Sequence, residues 1–176
     1  MRFLQALFFV LLLALLGAAA FVYSGAFEVA ADVPHSPLVY QLLDTARQRA
    51  IAARARGIVV PPLDDPQRIA TGAEHYSEMC IGCHLAPGTR ESELRDGLYP
   101  TPPDFTQRNN LDPAQMFWVI KHGVKLTAMP AWGKSHDDAA IWSLVAFVRK
   151  LPELTPEQYE QASGKADAEH HQHEHH

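Results

Sequence analysis

The longest apolar stretch of the chain lies at its N-terminus. The run from Phe3 to Tyr23 contains a single strongly polar residue, Gln5. At about 1.5 Å per residue, a helix of this length reaches across a hydrocarbon core of roughly 30 Å. Its small residues Ala18–Ala20 would also suit cleavage of a signal peptide. We predict that residues 1–24 form an uncleaved signal anchor, with a cleaved signal peptide as the alternative.

The charges on either side of this run indicate its orientation. Arg2 precedes the run, and the first charged residues after it are Glu28 and Asp32. Cytoplasmic flanks carry an excess of Lys and Arg, so the bulk of the chain is predicted to lie outside the cytoplasm. The prediction is a single pass through a membrane with the remainder on the non-cytoplasmic side.

Residues 25–64 are predicted to form a linker that contains one helix, over about 37–56. Ser36 suits an N-cap, Pro37 the first helical position, and Gly57 the end of the helix. The second half of this helix is basic, with Arg47, Arg49, Arg54 and Arg56. It could lie against anionic lipid or a partner, or act as a solvated spacer whose cations favour its C-terminal end. We favour the spacer.

Apolar residues recur at helical spacing between residues 65 and 154, which predicts an all-α domain. The predicted helices begin at Asp65-Pro66, at Asp112-Pro113 and at a capping box of Ser135 with Asp138. The loops over residues 85–110 and 124–134 are long for so small a domain, so we expect them to wrap a ligand. Residues 155–176 are predicted to form a short helix and a polar, histidine-rich tail.

Length and composition narrow the class of protein. The chain has 176 residues, enough for one compact domain with extensions. Its formal net charge of −5 argues against nucleic-acid binding. There are two cysteines, and they stand three residues apart.

These cysteines belong to the sequence Cys80-Ile81-Gly82-Cys83-His84. Cys-x-x-Cys-His is the spacing of covalent c-type heme attachment, in which two thiols reach the porphyrin vinyl groups and the histidine binds the iron. A thioredoxin-like redox pair and half of a zinc site are the alternatives. A four-ligand zinc site would need a further pair of ligands, and no second cysteine pair exists. We therefore predict one covalently bound heme c, with His84 as an axial ligand.

Around this motif the chain resembles the class I c-type cytochromes over about Asp65–Leu151. The matching residues are Gly72, Tyr76, the Cys80–His84 motif, Pro103-Asp104-Phe105, Met129-Pro130-Ala131-Trp132-Gly133 and the helix with Ser143–Phe147. The resemblance is to single-heme bacterial cytochromes tethered by an N-terminal helix. It implies a helical domain wrapping one heme, in which the helix with Gly72 crosses the helix with Phe147.

The resemblance also implies the remaining iron ligand. Met129 lies in a loop before Pro130, at a distance from His84 that lets the loop fold over the opposite heme face. His122 is the rival ligand, although a histidine at a helix end is more often a surface or capping residue. A Met ligand favours ferrous iron and raises the reduction potential. Pro103 is implied as the carbonyl that accepts the proximal imidazole N–H, with Pro87 as the alternative.

The tail contains the histidines His170, His171, His173, His175 and His176. Clustered imidazoles can bind copper, nickel or zinc, which makes these residues candidate secondary metal ligands. A solvated end of the chain is the alternative interpretation.

Two axial ligands would leave the iron no open position for a substrate, which favours electron transfer over bond-making. We predict a membrane-tethered one-electron carrier, not itself an enzyme, that serves redox partners of a respiratory chain or a periplasmic dehydrogenase. The alternatives are a heme enzyme or gas or redox sensor with a labile distal Met, and a metal-handling protein that uses the histidine tail.

Overall fold

The computed structural model describes residues 1–107 and 112–164, and every regular element within these residues is helical. The α-helices are α1 (Arg2–Tyr23), α2 (Pro37–Ala55), α3 (Pro66–Met79), α4 (Ile81–His84), α5 (Glu93–Asp96), α6 (Pro113–His122), α7 (Asp138–Lys150) and α8 (Pro156–Ala162). Short 3-10 turns lie at Trp132–Lys134 and Leu151–Glu153. The all-α class predicted from the sequence is confirmed.

The chain divides into two compact units, residues 1–34 and the described residues from His35 onward. The first unit contains α1, whose 22 residues are all exposed. Its length and apolar composition are sufficient to cross a membrane. An apolar helix that buries no residue of its own needs a non-aqueous surrounding, which is consistent with the predicted membrane anchor.

The core of the second unit is the crossing of α3 and α7. Gly72 of α3 lies directly against Ser143 of α7, close enough that the carbonyl of Ser143 occupies the space of a side chain at position 72. The rings of Tyr76 and Phe147 meet at the same crossing, with centroids 5.4 Å apart. The crossing implied by the family resemblance is therefore present, and it depends on a glycine at this position.

The start of α7 differs from its prediction. The N-cap is Asp137, whose carboxylate accepts a hydrogen bond from the Ala140 N–H at 2.8 Å. The predicted capping box of Ser135 with Asp138 is wrong. Ser135 instead ends the 3-10 turn, where its backbone N–H and hydroxyl both donate to the carbonyl of Trp132. Two adjacent aspartates made the exact N-cap ambiguous in the sequence.

Helix α2 packs against the rest of this unit rather than standing apart as a solvated spacer. It contacts α6, and Ala55 near its end is buried. The Arg54 guanidinium lies over the Trp118 ring at 6.0 Å from the centroid. Just before α2, the backbone N–H of His35 donates to the Tyr99 hydroxyl at 3.1 Å. Both ends of the helix are therefore held against the domain.

Candidate functional site

A cavity of about 690 Å³ lies inside the second unit. Its walls come from α2, α3, α4, α6, α7 and the two long loops, and they are predominantly apolar. A volume of this size matches the pockets that bury small molecules and cofactors. The residues that line this cavity are therefore the candidates for a functional site.

Both cysteines line this cavity. Cys80 caps the end of α3, and Cys83 follows one turn later on α4, where its backbone N–H donates to the Cys80 carbonyl at 3.1 Å. This single turn directs both thiols to one wall. Burial raises the pKa of Cys80 to about 12, with the neighbouring Cys83 as a further cause. Both cysteines are free thiols rather than a disulfide.

His84 is the most firmly held polar side chain of the cavity. Its Nδ1 lies 2.8 Å from the Pro103 carbonyl oxygen. Because a carbonyl only accepts, Nδ1 carries the proton and Nε2 keeps its lone pair. The Phe105 ring stacks on the imidazole at 4.4 Å, and the Phe105 N–H donates to the His84 carbonyl at 3.2 Å. Burial lowers the pKa of His84, which favours the neutral ligand form.

Met129 lines the same cavity from a loop that is braced by hydrogen bonds. The Met129 N–H donates to the Thr127 hydroxyl at 3.1 Å, and the Val124 N–H donates to the Met129 carbonyl at 3.2 Å. Gly123 begins the loop with φ +66°, and a Cβ there would lie 2.7 Å from the Met129 carbonyl oxygen. The loop therefore requires a glycine at its first residue and presents a thioether to the cavity.

Some of the remaining candidate residues line the cavity and others do not. His122 is exposed, beside Trp118, and is absent from the cavity wall, whereas Trp132 lines it. The thioethers of Met79 and Met116 also line the cavity, on α3 and α6. The tail histidines His170, His171, His173, His175 and His176 lie outside the described residues.

Helix α2 contributes cavity residues that the sequence did not indicate. Arg47, Gln48 and Ile51 line the cavity together with the heme-motif residues. They occupy one face of α2, since residues three and four apart are neighbours on a helix surface. The spacing was visible in the sequence, but the cavity that this face adjoins depends on tertiary packing.

The residues of the cavity fit a covalently bound heme. Two thiols at the required spacing, an imidazole with a free Nε2 lone pair and a thioether are grouped in one apolar space. An apolar surrounding suits a porphyrin, and thiol, imidazole and thioether are the side-chain types that c-type hemes use.

Through its hydroxyl, Tyr76 supports the backbone at His84 and Leu85, beside the cavity. Its hydroxyl donates to the Leu85 carbonyl at 2.7 Å and lies 3.3 Å from the His84 carbonyl. Leu85 is a non-glycine residue with φ +64°, so its conformation needs support from its surroundings. We expect Tyr76→Phe to lower the free energy of unfolding by about 1–2 kcal/mol, because the buried Leu85 carbonyl loses its donor.

Chemical denaturation of the heme-loaded protein measures this change. Tyr159→Phe is the matched control, because the buried Tyr159 hydroxyl has no hydrogen-bond partner within the described residues. We expect that control to be neutral or slightly stabilising. Equal losses in both variants would contradict the assigned role of Tyr76.

Comparisons with known proteins agree with this chemistry. Residues 67–148 match the family model described as Cytochrome C oxidase, cbb3-type, subunit III. The chain is also similar to the Cbb3-type cytochrome c oxidase subunit CcoP of Azospirillum sp. (strain B510), with 34% identity over 91 residues. The similarity covers 49% of this chain and 30% of that relative. No solved structure matches the chain significantly.

Proposed function

We propose that this chain is a membrane-tethered carrier of single electrons with one heme c, and the similarity of residues 67–148 to a cytochrome family model supports the proposal. The observation that supports the proposal most is that one apolar cavity groups Cys80, Cys83, His84 and Met129. This set provides both covalent attachment points and two axial ligands of different softness.

Each of these residues has a distinct role in the proposal. Cys80 and Cys83 would form the thioether bonds, and His84 Nε2 and the Met129 sulfur would bind the iron. The Pro103 carbonyl holds the imidazole in one tautomer through the 2.8 Å contact.

The heme, when bound, supplies a one-electron ferric/ferrous couple. The chain excludes water with apolar walls and keeps the Met129 loop in place through Thr127. A site held this firmly changes charge with little rearrangement. Filled axial positions favour electron transfer over substrate binding, so the chain itself is proposed not to be an enzyme.

The proposed setting is the bacterial inner membrane, with α1 as anchor and the heme domain in the periplasm. The apolar α1 and the flanking charges of the sequence support this orientation. The relative described above is an oxidase subunit by its printed name. We therefore propose respiratory redox proteins as partners, with a periplasmic dehydrogenase as the alternative. A tether would raise the local concentration of the heme domain near membrane partners.

A visible spectrum of the heme-loaded full chain in membranes tests the proposal. The oxidised and reduced forms are recorded with and without carbon monoxide. We expect a low-spin reduced spectrum that carbon monoxide does not change, because both axial positions are filled. A redox titration should fit one heme that exchanges a single electron.

The opposite result would favour a different class of protein. Prompt binding of carbon monoxide by the unmodified chain would indicate an accessible iron. The electron-carrier proposal would then fail, and a heme enzyme or gas sensor with a labile distal Met would replace it. Adding free imidazole provides a second check, because it too should leave the spectrum of a closed site unchanged.

A further inference from the structure

Helix α2 forms part of the cavity wall although it lies outside residues 67–148, the segment that matches the cytochrome family model. Its cavity-facing residues are Arg47, Gln48 and Ile51. The helix is held at both ends, by His35 against Tyr99 and by Arg54 against Trp118. This segment is therefore positioned to contact whatever occupies the cavity.

The charges around the cavity distinguish Arg47 from the other residues of the wall. Among the described residues that line the cavity, Arg47 has the one permanently charged side chain. A heme carries two ionised propionate groups. Burial of a carboxylate is costly unless it is paired with a cation or hydrogen-bond donors. Among the described residues of the wall, Arg47 supplies the cation for such a pair.

The neighbours of Arg47 leave part of its hydrogen-bonding capacity available. The guanidinium pairs with the Asp44 carboxylate one turn earlier on α2. Gln48 Nε2 donates to the other oxygen of the same carboxylate at 2.7 Å. Asp44 therefore orients both side chains. A guanidinium has five N–H donors and one carboxylate engages about two of them, so donors remain for a second carboxylate.

The exposure of Arg47 agrees with a position at the mouth of the cavity. Its side chain is 37% exposed, whereas most of the cavity wall is apolar. Propionates are the polar groups of the porphyrin and favour the edge nearest to water. Arg95, another arginine of the domain, donates to the Pro102 carbonyl at 3.1 Å and is absent from the cavity wall.

We propose that Arg47 binds a heme propionate, so that α2 is an integral part of the heme site rather than a spacer. The proposal rests on covalent heme binding by the cytochrome domain, and it does not require that the protein be an electron carrier. Arg47 remains paired with Asp44, and its free N–H donors bind the propionate carboxylate.

The midpoint potential of the heme-loaded full chain tests this proposal, because a purely structural role of Arg47 would not shift it selectively. A guanidinium beside the heme opposes the extra positive charge of ferric iron, and it also neutralises a propionate that would stabilise that charge. We expect Arg47→Gln to lower the midpoint potential by about 59 mV, a tenfold change in the oxidised-to-reduced ratio. Arg47→Lys should lower the potential by a smaller amount, because lysine keeps the positive charge but loses the planar, forked arrangement of N–H donors.

Arg49→Gln is the matched control, since Arg49 lies on the same helix, is exposed and is absent from the cavity wall. It should change the potential far less. The difference between the two Gln variants should persist at high ionic strength, because a partly buried pair is screened less than a solvated charge. Equal potentials in the two variants, or a difference that disappears in 0.5 M salt (about 4 Å Debye length), would overturn the proposal.

The result of the Arg47 experiment can be separated from the result of the carbon monoxide test of the proposed function. Carbon monoxide binding by the unmodified chain would refute the electron carrier but leave the comparison of Arg47 with Arg49 valid. If Arg47→Gln fails to take up heme, the potential of Arg47→Lys decides. It should lie below the potential of an Arg49→Lys variant at both ionic strengths, because a lysine cannot replace all the donors of the guanidinium. Equal potentials in the two Lys variants would overturn the proposal.

Discussion

Met129→Ala should convert the site from one that excludes carbon monoxide into one that binds it. If Met129 is the second axial ligand, its removal leaves the iron an open position, and the reduced spectrum should then respond promptly to carbon monoxide. The midpoint potential should fall by on the order of 100 mV, because a soft thioether stabilises ferrous iron and axial ligands set heme potentials over about 0.8 V. Visible spectroscopy and a redox titration measure both changes.

Two controls separate ligation from packing. Met129→Leu keeps most of the side-chain volume but removes the sulfur, so it should bind carbon monoxide as Met129→Ala does. Met79→Leu makes the same substitution at another methionine of the cavity wall and should leave the spectrum unchanged. If Met129→Leu still excludes carbon monoxide while Met79→Leu admits it, Met129 is not the ligand and Met79 takes its place.

The parts of the fold that the sequence predicted are those with a strong local signal or a family motif. The apolar run over α1 is continuous, and Asp65 and Asp112 are followed by prolines at the first helical position. The crossing at Gly72 was implied by the family resemblance, because no local pattern pairs two helices so far apart in sequence. The exact N-cap of α7 was missed, because Asp137 and Ser135 are both suitable caps.

The packing of α2 could not be predicted from its own sequence. Its exposed face includes apolar residues such as Leu38 and Leu42, while the residues that line the cavity are largely polar. The pattern of apolar and polar residues along α2 therefore does not indicate which of its faces is buried. The buried residue Ala55 and the stacking of Arg54 on Trp118 come from tertiary contacts. The hydrogen bonds of the Tyr76 hydroxyl could likewise not be predicted, since its acceptors lie beyond the end of its own helix.

The packing of α2 and the hydrogen bonds of Tyr76 both concern the surroundings of the cavity. Family motifs indicate the candidate heme-binding groups, whereas α2, which forms part of the cavity wall, carries no such motif. Tyr76 supports the backbone just after His84, and α2 closes a wall of the cavity. The cavity wall therefore extends beyond residues 67–148 through α2, and a fragment cut at residue 65 would lose Arg47, Gln48 and Ile51 from it.

Gly72→Ala should strongly lower the stability of the protein. A Cβ at this position would lie 2.8 Å from the Phe147 Cβ and closer still to the Ser143 carbonyl. Neither group can move alone, because one is backbone and the other belongs to the fully buried Phe147. Separation of α3 from α7 would open the core around Tyr76. We expect a loss of about 3 kcal/mol or more, which outweighs the gain of about 1 kcal/mol in helix propensity.

Thermal and chemical unfolding of the heme-loaded chain measure this loss, and the yield of heme-loaded protein gives a second readout if the variant does not fold. Gly97→Ala is the matched control, because its Cβ would meet nothing nearer than the Glu93 carbonyl oxygen at 3.7 Å. That control should change stability by less than about 1 kcal/mol. A Gly72→Ala variant as stable as Gly97→Ala would mean that α3 and α7 do not approach so closely, and the helix crossing behind the heme cavity would have to be revised.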